Sequence, residues 1–239
     1  MSETVVSGRG LPGVTRERVP VSATGLVLVR GGRRILDGVD VLAQPGRLLA
    51  VTGPSGSGKS TLLSVLAGQV RPDEGEVRLG DRVVGERGRP ADREHVLGMV
   101  LQGYGLLPVL TAAENVELPL QLRGVPRAQV RARAARALVR AGLGEVVEGA
   151  GDRLAEELSG GQQQRVAVAR GLVVDPDVLL ADEPTSELDA ATRDVVVAAL
   201  REEADLGATV VLATHDPEVA AVCDAELHLV DGRVASLRG

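Results

Sequence analysis

The chain has 239 residues, 44% hydrophobic and 25% charged, with a formal net charge of −6, which fits one globular domain with a sizeable core. It contains no Phe, no Trp and a single Tyr, Tyr104, and with the acidic balance this lack of stacking platforms argues against nucleic-acid binding. Cys223 stands alone, which argues against a disulfide framework or a Cys-based metal site, and no apolar run approaches the roughly 18 residues of a membrane span.

Residues 1–20 (MSETVVSGRGLPGVTRERVP) read as a flexible tail with no periodic apolar pattern and no signal-peptide stretch, so the protein is expected to remain in the cytoplasm. From Val21 the pattern becomes strand-like, through Leu26–Val29, a Gly31-Gly32 turn and Ile35–Leu42. Arg47–Thr52 is a short apolar strand running into a Gly-rich loop, and Lys59–Ala67 has helical spacing, with Gly68 as its stop. A hairpin is expected around Gly80-Asp81, and a strand over His95–Leu101. The block from about 103 to 158 shows no strand signal and reads as a helical insertion, with helices over Ala112–Leu122 and Pro126–Ala141. Arg127, Arg131, Arg133, Arg136 and Arg140 are spread around the second of these helices, as on a solvated face. Helix, strand, helix, strand and helix then alternate from Gly160 to Val222, and a last hairpin turns at Asp231-Gly232. The expected fold is α/β over 21–239: a P-loop core with a mainly parallel sheet, an antiparallel β part and the helical insertion.

Gly53-Pro54-Ser55-Gly56-Ser57-Gly58-Lys59-Ser60-Thr61 matches the P-loop pattern throughout, in the strand-loop-helix context that the motif requires. Glycines let the backbone curl its N–H groups inward onto phosphate oxygens, and the following helix start favours anions. Lys59 is expected to reach the β- and γ-phosphates of ATP, and the Ser60 hydroxyl to ligate Mg²⁺. The apolar run Val178–Ala181 delivers Asp182 and Glu183 to the carboxyl end of the sheet, where α/β proteins bind ligands. Asp182 is expected to hold the metal and Glu183 to polarise an attacking water. Ser159 suits a helix N-cap, and Gly160 and Gly161 allow close approach of an anion, so a second phosphate-binding helix start lies there without a lysine.

These motifs resemble the ABC ATPases. Leu158-Ser159-Gly160-Gly161-Gln162 is similar to that family's signature sequence, Gln102 falls where its Q-loop glutamine stands, Ser186–Asp189 resembles the D-loop, and Thr214-His215-Asp216 resembles the switch histidine. The resemblance covers roughly Leu26 to Val234 and implies a head-to-tail dimer, each ATP lying between one P-loop and the partner's signature helix. It also implies that Gln102 touches Mg²⁺ or the attacking water, that His215 contacts the γ-phosphate and orients Glu183, and that Asp189 crosses the dimer interface. His95 and His228 have no such context and read as structural. Leu106-Leu107-Pro108, TAAENVELPL and THDPEVAA are similar to the macrolide-export and lipoprotein-release group. That likeness implies a transmembrane permease as partner, membrane contact only through it on the inner face of the cell membrane, and export or extraction of a substrate.

The chain departs from the family where an aromatic residue normally stacks on adenine. Val29-Arg30-Gly31-Gly32 stands near that position, and Arg30 is the candidate to lay its guanidinium on the base. Tyr104, just past Gln102, is open to two readings, a permease contact or a plain surface residue. A non-transport ABC protein and a nucleotide sensor without turnover are the competing functional readings. One P-loop and one signature about a hundred residues apart argue against the first, and Glu183 and His215 against the second.

Overall fold

A computed structural model of the chain describes residues 19–85, 95–144 and 153–239. The segment 1–18 of the expected tail lies outside the described residues. Val19 and Pro20 belong to the packed fold instead: Val19 is buried, its carbonyl accepts from the Thr209 hydroxyl at 2.5 Å, and the Pro20 carbonyl accepts from Gly80 N–H.

Two sheets carry the architecture. The larger has the order β10-β9-β3-β8-β7-β6, built from β3 (Leu48–Thr52), β6 (Leu97–Val100), β7 (Val178–Asp182), β8 (Thr209–Ala213), β9 (Ala225–Val230) and β10 (Arg233–Arg238). Its neighbours pair in parallel except β9 with β10. The smaller sheet, antiparallel throughout, has the order β2-β1-β4-β5, from β1 (Val21–Arg30), β2 (Arg33–Ala43), β4 (Glu74–Leu79) and β5 (Arg82–Val83).

Every residue of β3, β7 and β8 is buried, as expected of central parallel strands covered on both faces. Strand alternation divides their side chains between two cores. Ala50, Leu179, Ala181, Val210 and Leu212 face one that also contains the apolar sides of α2 (Ala112–Leu122), α3 (Arg127–Arg140), α4 (Gly160–Leu172) and α5 (Ala190–Asp205). Leu49, Val51, Leu180 and Val211 face the other, shared with α1 (Lys59–Leu66) and the antiparallel sheet. Val, Leu and Ala fill both, so the missing Phe and Trp leave no structural deficit. The last helix, α6 (Pro217–Ala221), starts behind Asp216, whose carboxylate accepts from Glu218 N–H at 2.8 Å.

Among the described residues, the insertion between β6 and α4 is built of helices, with a single bridge pairing Thr111 with Leu154. A capping box starts α2: Thr111 Oγ1 accepts from Glu114 N–H and the Glu114 carboxylate accepts from Thr111 N–H. Asn115, buried on α2, accepts from Leu107 N–H and donates to the carbonyls of Leu107, Leu110 and Thr111, pinning the loop that leads in from β6. Pro126 precedes α3 rather than opening it.

The arginines of α3 do not form a wholly solvated face. Arg133 is buried and reaches Asp175 Oδ2 at 2.5 Å and the Val173 carbonyl at 3.1 Å. Arg140 meets Glu202 at 2.8 Å and the fully buried Glu203 at 2.6 Å. Both acids lie on α5, so this pair joins the helical insertion to the sheet-bearing core.

Candidate active site

The carboxyl ends of β3 and β7 deliver the two halves of the site. β3 ends at Thr52, and the chain curls through Gly53 (φ 139), Gly56 (φ 78) and Gly58 (φ 107) before α1 begins. Gly53 admits no side chain, because a Cβ there would lie 2.1 Å from the Leu229 carbonyl oxygen. Gly58 is the N-cap of α1 and supplies no side-chain cap, so the helix's first N–H groups remain available to an anion. The Lys59 ammonium lies across the loop, donating to the carbonyls of Gly53 at 2.8 Å and Pro54 at 3.2 Å.

At the end of β7, Asp182 and Glu183 are both buried. Ser60 Oγ donates to Asp182 Oδ1 at 3.1 Å. Burial pushes the Asp182 carboxyl above the usual carboxylate range; the Ser60 hydrogen bond opposes this, the neighbouring Glu183 adds to it, and Lys59 opposes it. Glu183 holds a left-handed backbone (φ 48), a conformation that non-glycine residues adopt at a cost and that recurs at functional sites. Its backbone is tied on both sides: its N–H donates to the Ala213 carbonyl, and its carbonyl accepts from Gln164 Nε2 at 3.3 Å and Ser186 Oγ at 3.2 Å. Its carboxylate Oε2 lies 2.9 Å from His215 Nδ1.

A cleft of about 740 Å³ gathers these groups, with Ser55, Gly56, Gly58, Lys59, Ser60, Thr61, Gln102, Glu183 and His215 among its lining residues. An anion-receptive helix start, a lysine, a hydroxyl and a His–carboxylate pair therefore share one opening, and the Asp182 carboxylate that the hydroxyl meets lies buried beside it. That set suits phosphoryl transfer from a nucleotide to water.

The family model of the ABC transporter matches residues 36–186. The chain belongs to the ABC transporter ATPases. The lipoprotein-releasing system ATP-binding protein LolD 1 of Caulobacter vibrioides is 45% identical over 85% of this ATPase and 87% of its own length. The macrolide export ATP-binding/permease protein MacB of Marinobacter nauticus is 40% identical over 86% of this ATPase, which spans only 32% of that relative's length. Among solved structures, the ATP-binding cassette MJ0796, in a dimeric post-hydrolysis state bound to ADP and Pi, matches with a TM-score of 0.82 at 35% identity. That match covers 91% of this chain and 97% of that one.

The ATPase does not bring all the sequence candidates together. Gly53, Pro54, Ser57 and Asp182 adjoin the cleft lining without forming part of it, and Ser159, Gly160, Gly161, Gln162 and Asp189 are absent from it. Ser159 caps α4 through a capping box with Gln162, and Asp189 caps α5 by accepting from Thr192 N–H at 2.8 Å. Arg30 does not line the cleft either: its guanidinium donates to the Val29 carbonyl and stands 4.0 Å from Asp73. Arg33 and Ile35 occupy that side instead. Arg30 and Arg33 are direct partners across the β1–β2 turn, so spacing along the sequence does not say which of the two meets the cleft. Gln164, which holds the Glu183 backbone, was missed, and Ser186 was read only as part of the D-loop and not as a second such anchor. Gln164 follows the signature by only two residues, and a buried glutamine on an apolar helix face is the signal that marks it.

Two residues read as structural, His228 and Cys223, lie away from the cleft lining. His228 Nδ1 lies 2.8 Å from Thr52 Oγ1 in the β3–β9 pair. Cys223 is buried, and burial pushes its thiol up to about 11, which suits an inert core residue. No helix among the described residues is long and apolar enough to cross a membrane.

Proposed function

We propose that this ATPase closes head to tail with a second copy around two Mg-ATP molecules and drives a separate transmembrane permease. The observation that carries the reading is the split of phosphate-binding elements. The P-loop and Glu183 share one cleft, while the second glycine-bearing helix start, Ser159–Gln162, lies outside it. A second copy gives that helix start a phosphate to meet. The dimeric state of MJ0796 bound to ADP and Pi supports the same arrangement.

In the proposed mechanism the P-loop N–H groups and Lys59 hold the β- and γ-phosphates, which frees the lysine from its own loop carbonyls. Glu183 accepts a hydrogen bond from the attacking water and polarises it, while His215 holds the carboxylate in place. Gln102 lines the same cleft and reports its occupancy to the helical insertion.

The Ser60 hydroxyl and Asp182 carboxylate offer two adjoining oxygen donors, and among the described residues no cluster of three or more His, Cys, Asp or Glu could hold a metal. That donor set fits Mg²⁺, which typically takes one or two protein oxygens and completes its shell with phosphate and water. Held by Ser60 and Asp182, the ion would supply neutralisation of phosphate charge. For the base, Arg33 replaces Arg30 as the cationic platform in the absence of an aromatic residue.

The permease partner follows from the relatives' roles, lipoprotein release and macrolide export, and export or extraction is the proposed direction. Membrane contact on the cytoplasmic side runs through that partner. The helical insertion offers it exposed apolar side chains, with Leu107 44%, Val109 75% and Leu122 79% exposed. Substituting Lys59→Ala tests the assignment of the cleft. ATP binding, measured by equilibrium dialysis, and phosphate release should both fall at least about tenfold, the loss of one charge-assisted phosphate contact. Unchanged binding and turnover would remove the cleft from this role.

A further inference from the structure

Tyr104 is the chain's only aromatic residue among Phe, Trp and Tyr, and it is held in an unusual way. Gly103 (φ 75), Tyr104 (φ 64) and Gly105 (φ 60) are three consecutive left-handed residues, a conformation that a tyrosine keeps only when its surroundings impose it. Arg170 of α4 imposes it from one side, donating to the Tyr104 carbonyl at 2.8 Å and the Gly105 carbonyl at 2.5 Å. The ring is partly buried against the core that contains α4. Its hydroxyl overlies the first turn of α4, where a Cβ on Gly160 would lie 3.1 Å from it. Glu187 Oε2 lies 3.7 Å from that same point. The ring is therefore packed against its own chain rather than left wholly to solvent. It sits where three segments converge: the loop after Gln102, the signature turn and the loop before α5.

Two residues before Tyr104, Gln102 lines the ATP cleft, whereas Gly160 and Glu187 do not. We propose that Tyr104 is a positioning residue that fixes the signature turn Ser159–Gln162 relative to Gln102, so that each subunit's own ATP cleft sets the pose of the surface it offers to the partner's nucleotide. The inference rests on the dimer reading above. A rigid ring suits the task because it loses little rotamer freedom, and the link is direct contact rather than a chain of intermediaries.

The chain's composition makes the test specific, since tyrosine emission comes from this ring alone. In hydrolysis-blocked Glu183→Gln protein, ATP should change that emission as dimer forms in the same sample, followed by sedimentation. In the otherwise wild-type chain, Tyr104→Ala and Arg170→Ala should each lower kcat about tenfold while ATP affinity of the monomer stays within about twofold, and Tyr104→Phe should restore kcat. A dimer with unchanged emission overturns this inference alone. So does wild-type kcat in Tyr104→Ala, a Phe variant as slow as the Ala variant, or a parallel loss of monomer affinity. Absence of any dimer overturns the inference together with the dimer reading.

Discussion

His215 and Glu183 form the most informative pair to separate. Nδ1 and Oε2 stand 2.9 Å apart, with the imidazole 68% exposed and the carboxylate 10% exposed. Replacing His215 by Ala leaves Glu183 on its strained backbone, still anchored by Ala213, Gln164 and Ser186, but releases the carboxylate from its one ring partner. A hydrogen bond to a charged group contributes about 1.5–3 kcal/mol, and the exposure of the ring places this one near the lower end. At about 1.5–2 kcal/mol, and 1.36 kcal/mol per decade of rate, kcat should fall about 10- to 30-fold. The KM for ATP should stay within about threefold, because the carboxylate acts on water rather than on bound phosphate. Steady-state phosphate release across an ATP series separates the two parameters. A kcat within about twofold of wild type, or a loss residing entirely in KM, would refute the argument.

Further substitutions test the corrected parts of the reading. Arg33→Ala should weaken ATP binding by about 2- to 30-fold, the range of one cation–π contact, while Arg30→Ala leaves it unchanged; isothermal titration of both variants decides between them. Arg140→Met removes the countercharge 2.6 Å from the buried Glu203. Breaking such a pair costs about 3–5 kcal/mol when both partners are enclosed, and about 2–3 kcal/mol here because Arg140 is 19% exposed. At about 2–4 °C per kcal/mol for a chain of this size, Tm should fall by roughly 5–10 °C. The double variant Arg140→Met/Glu203→Met should recover most of it in thermal unfolding followed by circular dichroism.

Much of the fold was legible because punctuation and periodicity agree along this chain. Gly68 and Gly142 sit past helix ends with φ near 70°, where a residue without Cβ is favoured, and β3, β7 and β8 are short unbroken apolar runs, as enclosed parallel strands must be. The P-loop and the Asp182-Glu183 step were legible for a similar reason, since each is a local pattern whose chemistry depends on adjacent residues. What spacing does not carry is the direction of a side chain whose partner lies far along the chain. Arg133 and Arg140 look like their three neighbours until Asp175 and Glu202–Glu203 arrive from distant elements. Arg30 and Arg33 face each other across one turn, and only the partners of Arg30, the Val29 carbonyl and Asp73, set it apart. Tyr104 stayed open between a permease contact and a plain surface role because its neighbours, Gly160 and Glu187, lie more than fifty positions later.

The central claim is that a triphosphate joins two copies of this chain, and sedimentation velocity of the Glu183→Gln protein with Mg-ATP tests it most directly. The account predicts a dimer that appears with ATP, disappears with ADP and releases almost no phosphate. A protein that binds ATP with Glu183 replaced yet sediments as a monomer, alone and with its permease, would contradict it.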